Sequence, residues 1–498
     1  MSAIMVVGTT SHAGKSIMAA AICRMLKRQG HRVTPFKGQN MALNAYVTHS
    51  GDEIGHAQAV QAWAADLEPR VEMNPILLKP QGDMTSQVIL NGKAVGRTQA
   101  ADYYRDYFDR GWQAITAALA TLQQEFDWIV CEGAGSPAEI NLKHRDLTNM
   151  RVAKHLNAAT LLVADIDRGG VFAHIVGTLE LLDPDERALI KGFVINKFRG
   201  QRSLLESGIT WLEERTGIPV VGVIPWLEQT LPAEDSLDLF ERRRTKPNAE
   251  LTIAVIRLPR ISNFTDFDPL EAEPSVRLQF LAPYQSLGQP DAVILPGSKT
   301  TIADLQQLHT SGMATQIQAY SQTGGTVLGI CGGLQMLGQT LIDSEGTEGQ
   351  PGEFSGLGLL PLKTTMTGDK ITRQRQVQMI LPTYASLLPA AKTIKGYEIH
   401  QGQTEVLHPE AVQAWFEDPT LGIARQNTLG TYLHGLFNNG PWRRAWLNQL
   451  RAQKNLPPLP IHIPDYEVYR DQRLDQVTDA IAAHLDLQPI INPAQSRQ

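Results

Sequence analysis

Cysteine is scarce in this 498-residue chain: Cys23, Cys131 and Cys331 stand far apart in different segments. That excludes a disulfide framework and a cysteine-built zinc site, and it predicts a reducing, cytoplasmic setting. An excess of basic residues is missing too. The formal net charge of −6 argues against a general nucleic-acid binder. No apolar run is long enough to cross a bilayer. The opening MSAIMVVGTTSHAGKS has no basic stretch ahead of its apolar run, so neither a signal peptide nor a membrane partner is expected. Internal repeats and low-complexity tracts are also absent. What is left is ordinary globular composition, 42% hydrophobic and 19% charged. The chain is too long for one core, so two or three domains are expected.

Short apolar runs alternate with helical stretches in the first half. IMVVG, RVTPF, DWIVCEG, TLLVADI, GFVINKF and VVGVIPW are each bounded by Gly, Pro or charge, as buried strands of a parallel sheet would be. The charged, Pro-containing stretch ERRRTKPNAE (241–250) reads as a linker between a domain at 1–240 and one at 251–445. A second strand set, LTIAVIRL, DAVILPG, GTVLGIC and LGTYLHGL, predicts another α/β domain. Residues 446–498 read as a helical tail, with Tyr469, Leu474, Val477, Ile481 and Leu485 in an amphipathic pattern expected to pack on the second domain.

GTTSHAGKS (8–16) lies between a strand and a helical run, the context a phosphate-binding P-loop requires. Gly8, Thr9 and Gly14 would let loop N–H groups approach phosphates at a helix N-terminus. Lys15 would reach the β/γ-phosphates of ATP, and the Ser16 hydroxyl would bind Mg²⁺. Five residues separate Gly8 from Gly14, one more than usual. A P-loop needs acidic help for its metal. Glu132 ends the strand DWIVCEG at the sheet edge where α/β ligands bind, with Glu53 second in line. Asn196, at the end of VINKF, could reach the nucleotide base. Two polar loops, 35–46 and 132–150, follow strands toward the same edge. Lys37 and Asn40 in the first, with the basic residues of the second, suit an anionic, carboxylate-rich substrate. Asp146 would repel such a substrate, so it reads as an orienting or chemical group, or as one half of a surface pair with Arg145.

VLGICGGLQML (327–337) sets Cys331 among glycines directly after a strand run, the Gly-x-nucleophile-x-Gly form of a nucleophile elbow. The helix that follows favours the thiolate. Gly332, with Gly297 and Ser298 of LPGSKT, could supply oxyanion donors. His434, 103 residues downstream at a strand end, is the expected base, and His400 is its rival.

Cys331 and His434 resemble a class I glutamine amidotransferase domain over residues 252–440. In most of that class, Pro and then an orienting Glu follow the histidine. Here Gly435 and Leu436 stand there, so a dyad or a substitute orienter such as Glu398 is expected. The P-loop resembles that of dethiobiotin synthetase. Over nearly its full length the chain resembles the glutamine-hydrolysing cobyric acid synthase family of cobalamin biosynthesis. The segments that carry this are PFKGQNMALNA, EGAGSPAEINL, ADIDRGG, LPGSKTT, GICGGLQMLG and GYEIHQG, in that order. The resemblance implies an ATP-dependent synthetase domain before the amidotransferase domain. It also implies amidation of carboxylates b, d, e and g of adenosylcobyrinic acid a,c-diamide, with glutamine and a corrinoid as partners and oligomers possible. The synthase acting on carboxylates a and c is the nearest alternative. A partitioning-type P-loop ATPase is a more distant one, because Thr9 and Thr10 replace its extra lysine.

Overall fold

A computed structural model describes residues 2–82, 84–227, 246–388 and 393–491. The six runs of the first half form one parallel sheet. Its spatial order is Val220–Pro225, Ile190–Phe198, Ala159–Asp165, Ser2–Gly8, Trp128–Glu132 and Val33–Phe36. Ser2–Gly8 lies in the interior of the sheet, paired through Gly8 with Val163 on one side and through Val6 with Glu132 on the other. The loop after Gly8 therefore opens at the carboxyl edge between two neighbouring strands, where ligands bind in doubly wound sheets. Helix Lys15–Arg28 covers one face with Met18, Ile22 and Leu26, all fully buried. Each such side chain contributes about 1.5–3 kcal/mol by leaving water.

The second sheet has seven strands. Val276–Leu281, Leu251–Ile256, Ala292–Leu295, Thr326–Ile330 and Thr428–Thr431 are parallel neighbours, and Gly422–Arg425 and Gln413–Ala414 complete it antiparallel. The chain thus has the expected α/β architecture twice over.

Two antiparallel additions shape the contact between the halves. One is a four-stranded sheet of the antiparallel strands Ile76–Gly82, Thr85–Leu90 and Lys93–Gln99, with Gln39–Met41 pairing parallel at its edge. The other is the long pair Leu362–Gln378 and Thr393–Val406. Tyr397 and Ile399 of that pair join Ala42, Ala45, Val47, Leu77 and Ile89 of the first half in a small apolar cluster.

The tail corrects the expectation from sequence. Helix Gly440–Gln453 does bury Trp442, Trp446 and Leu450 in the second core. Helix Tyr466–Ala482, however, returns to the first domain, where Leu474, Val477 and Ile481 pack with Met18, Ile22 and Leu26. Arg24 and Arg28 pair with Asp475, and Arg28 also with Asp479. The reason is complementarity: the tail's apolar stripe covers the P-loop helix, and flanking charges fix its register. The proposed boundary at residue 240 and linker residues 241–245 lie outside the described residues. Among the described residues, no helix is long and apolar enough to cross a membrane.

Candidate active sites

At the carboxyl edge of the first sheet, Gly14 takes a left-handed φ of +104°. A Cβ there would lie 2.1 Å from Asn196 Nδ2, so only glycine fits. Lys15 Nζ donates to the carbonyls of Thr10 and Gly135, both at 3.1 Å, and is held across the loop. Ser16 Oγ donates to Glu132 Oε1 at 2.8 Å, so the two residues expected at the metal meet. The hydroxyls of Thr9 and Thr10 are buried and find no partner among the described residues. Unpaired buried donors are costly, and a phosphate would satisfy them. Asn196 has a different posture from the one expected: its Nδ2 donates to the Ala13 carbonyl at 2.8 Å, so it braces the loop.

Glu132 is the centre of this site. Lys37 Nζ lies 2.9 Å from its Oε1, and Gln61 Nε2 donates to its Oε2 at 2.5 Å. Asn40 Nδ2 donates to Gln58 Oε1 at 2.9 Å, and Gln58 reaches Glu132 Oε2 at 3.5 Å. Lys37 and Asn40 are therefore turned inward on the carboxylate, not displayed to a substrate as expected. Their backbones are tied down by neighbours that sequence spacing does not reveal, such as Asn74, which donates to the Lys37 carbonyl.

Two further expectations are corrected. Glu53 is buried between Lys79 and Lys370, which is in the second domain. Burial opposes its ionisation, but these two ammonium groups outweigh that and hold it at about 2. It is an interdomain ion-pair residue rather than a metal ligand. Asp146 accepts from the backbone N–H groups of Thr148, Asn149 and Arg151 at 2.9, 2.7 and 2.9 Å. Its carboxylate anchors the start of helix Met150–Leu156 and is not presented to a substrate.

The second site lies at the end of strand Thr326–Ile330. Cys331 has φ +53° and ψ −109°, a strained conformation for a residue with a Cβ. The glycines around it are steric necessities. A Cβ on Gly333 would lie 2.0 Å from the Leu295 carbonyl oxygen, and one on Gly329 2.6 Å from the backbone of Gly333. Gly332 sits against Ser298, whose backbone nitrogen would be 3.0 Å from an added Cβ, and Gly297 borders the ring of His434. The expected oxyanion residues are thus gathered at the elbow. Cys23 and Cys131 offer a contrast: burial pushes both thiols up and leaves them as packing residues.

His434 is buried and electrostatically coupled to Cys331, whose Sγ donates to the Ile399 carbonyl at 3.4 Å. His434 Nδ1 lies 2.7 Å from Asp266 Oδ2, while Asp266 Oδ1 accepts from Gly435 N–H at 2.8 Å. Burial would lower the imidazole, but Asp266, followed by the nearby Cys331, pushes it up to about 10. Asp266 is the carboxylate partner of His434 that the sequence did not reveal. It comes from the turn Phe264–Phe267, 168 residues before the histidine. In the sequence it is one of two aspartates in the mixed stretch NFTDFDPL, with no motif to mark it. Glu398, the expected substitute, is spent on Arg373, Arg375 and His400. His400, the rival base, stacks on Tyr432 with ring centroids 3.7 Å apart.

Comparison with known proteins gives a match to each half of the chain. Residues 4–238 match the model of the CobQ/CobB/MinD/ParA nucleotide binding domain, and 252–442 match that of the CobB/CobQ-like glutamine amidotransferase domain. The cobyric acid synthase of Acaryochloris marina is 85% identical over 497 residues, covering 99% of this chain and 100% of its own. The chain belongs to the cobyric acid synthase family. Cobyric acid synthases of Thermosynechococcus vestitus and Synechococcus elongatus are 66% and 64% identical, covering 98% and 99% of this chain and 98% and 99% of their own.

As a cobyric acid synthase family member the chain is an enzyme, a ligase of the glutamine amidotransferase type. Its P-loop domain implies ATP use. The donor set fits Mg²⁺ held jointly with phosphates: one hydroxyl and one carboxylate, Ser16 and Glu132, already in contact. No cluster of three or more His, Cys, Asp or Glu able to hold a metal occurs among the described residues. Asp165, at the end of the strand beside Ser2–Gly8, is a further carboxylate at this edge and is paired with Lys197 at 2.7 Å.

Proposed function

We propose that this enzyme amidates carboxylates b, d, e and g of adenosylcobyrinic acid a,c-diamide, consuming ATP and glutamine for each amide. The Cys331 sulfur attacks the glutamine amide carbon after His434 takes the thiol proton. Donors near Gly297, Ser298 and Gly332 receive the oxyanion. His434 returns the proton to the departing ammonia, and Asp266 keeps the ring in the tautomer that allows this. Water then cleaves the thioester to glutamate and restores the thiol.

In the first domain, the P-loop amides and Lys15 orient the ATP phosphates toward a substrate carboxylate. Mg²⁺ held by Ser16 and Glu132 would neutralise phosphate charge. The carboxylate oxygen bonds to the γ-phosphorus and ADP leaves. Ammonia attacks the acyl phosphate carbon, and phosphate leaves with the carboxylate oxygen. The observation that carries this reading is the presence, in one chain, of an assembled Cys331–His434–Asp266 group and a Lys15–Ser16–Glu132 group.

The test is mass spectrometry of the corrinoid after incubation with enzyme, ATP, Mg²⁺ and glutamine, beside Cys331→Ala supplied with glutamine or ammonia. Stepwise gain of amides, lost in the variant with glutamine and restored by ammonia, is the expected result. An unchanged corrinoid with glutaminase and ATPase intact would refute the substrate.

A further inference from the structure

The segment that begins at Lys37 continues from the P-loop site into the other domain. Its first part faces Glu132 through Lys37 and, by way of Gln58, through Asn40. Its end faces the glutaminase group. Asn44 is buried, and its Oδ1 accepts from the backbone N–H of Phe264 at 2.9 Å. Phe264 opens the turn that carries Asp266. The residue before it, Asn263, holds φ +53°, a conformation that needs support. Asn263 Nδ2 donates to the Tyr397 hydroxyl at 3.0 Å, and that hydroxyl donates to the Ala45 carbonyl at 3.4 Å. Tyr397 is the cross-strand partner of His434 and stacks on its ring, with centroids 5.2 Å apart and planes at 16°. Asn44 and Ala45 thus support both members of the Asp266–His434 pair from the other domain.

We propose that Asn44 is a positioning residue for glutamine hydrolysis, and that through it the 37–47 segment ties the Asp266–His434 geometry to the state of the Glu132 site. The proposal rests on reading Cys331, His434 and Asp266 as the glutaminase. The physical basis is competition. A cation and phosphates that engage Ser16 and Glu132 draw on the same carboxylate oxygens that hold Lys37 and Gln58. The segment is then released or retained according to occupancy. Tyr46 borders a cavity of about 730 Å³ whose wall includes Asp266, Tyr397 and Gly435.

The experiment uses the full chain with Asn44→Leu, which removes the acceptor at similar volume, and Asn44→Asp, which keeps an acceptor oxygen. Four quantities are measured: glutamate release with and without ATP and corrinoid, the pH profile of Cys331 alkylation by iodoacetamide without ATP, ammonia-dependent amidation, and melting temperature. Asn44→Leu is expected to lower glutaminase kcat about tenfold or more, the effect of orphaning a buried N–H in the supporting turn. KM for glutamine should stay within about twofold. The alkylation profile should shift, ATP stimulation should weaken, and ammonia-dependent amidation should persist. Asn44→Asp should restore glutaminase and profile. If Asn44→Leu folds poorly, Tyr397→Phe, which keeps the stack and loses only the hydroxyl, should show a smaller change of the same sign. Unchanged glutaminase and alkylation in Asn44→Leu would overturn the proposal. So would a loss that follows melting temperature, affects both activities equally and is not restored by Asp. Glutaminase surviving Cys331→Ala would instead overturn the underlying site reading.

Discussion

Replacing Asp266 by Asn tests the glutaminase reading most sharply, because it changes charge and tautomer with little change in shape. In the native site a carboxylate oxygen 2.7 Å away must accept from His434 Nδ1, which leaves Nε2 as the base. Asn can keep the acceptor for Gly435 N–H, but its amide nitrogen would then donate to Nδ1. The ring proton moves to Nε2, and the lone pair that should take the thiol proton is gone. The lost charge-assisted bond alone costs about 1.5–3 kcal/mol. Tautomer reversal adds to it, and carboxylate-to-amide changes of this kind cost about 10⁴ in turnover. We expect glutaminase kcat to fall about 10³- to 10⁴-fold, with ammonia-dependent amidation retained.

A second readout is pH. His434 is raised from 6.5 to about 10, so its pairing stabilises the fold fully below pH 6.5, and that contribution fades as pH rises through about 10. Asp266→Asn should therefore be most destabilised relative to the native enzyme at and below pH 6.5, with the gap closing toward pH 10 in urea titrations. A folded Asp266→Asn enzyme hydrolysing glutamine within about threefold of the native rate would refute the argument, because reversal of the tautomer requires a far larger loss.

Glu398→Gln should behave differently. It strips a buried partner from Arg373, Arg375 and His400, so urea unfolding should show a loss of about 2 kcal/mol, while glutaminase kcat stays within a few-fold. Glu53→Gln leaves Lys79 and Lys370 facing each other across the domain contact, and should cost about 3–5 kcal/mol without altering the Mg²⁺ requirement. Because Glu53 is held at about 2 against an ordinary 4.5, its contribution is present above pH 4.5 and lost as pH falls toward 2; acid titration of the native enzyme and Glu53→Gln should converge there. Gly333→Ala would drive a methyl into the Leu295 carbonyl, and loss of soluble expression or a melting temperature lowered by about 10 °C or more is expected.

Much of this was legible from local pattern. The P-loop is a contiguous strand, glycine turn and helix, so Gly14, Lys15 and Ser16 announce themselves, and Glu132 follows from its place at a strand end. The elbow is equally local, since the glycines flanking Cys331 are required by backbone approach within one turn. Asp266 was hidden because its partnership spans 168 residues and the usual Pro-Glu after the histidine is replaced by Gly435 and Leu436. Polar residues such as Lys37, Asn40 and Asp146 were placed in the right loops, but their side-chain directions were not readable. Whether a lysine points at solvent or at Glu132 depends on what packs above it.

Sequence by itself determined the two α/β sheets, the phosphate loop and the glycine elbow around Cys331, because periodicity and glycine sterics act over a few residues. Tertiary structure alone decided which carboxylate pairs with His434, that Glu53 lies between two lysines, that the tail helix crosses back to the first domain, and that Asn44 of one domain accepts from the turn that carries Asp266 in the other. Those pairings join residues far apart in the chain. Burial strengthens each charge or hydrogen bond and penalises leaving it unmade, and only the folded chain sets which groups are buried together.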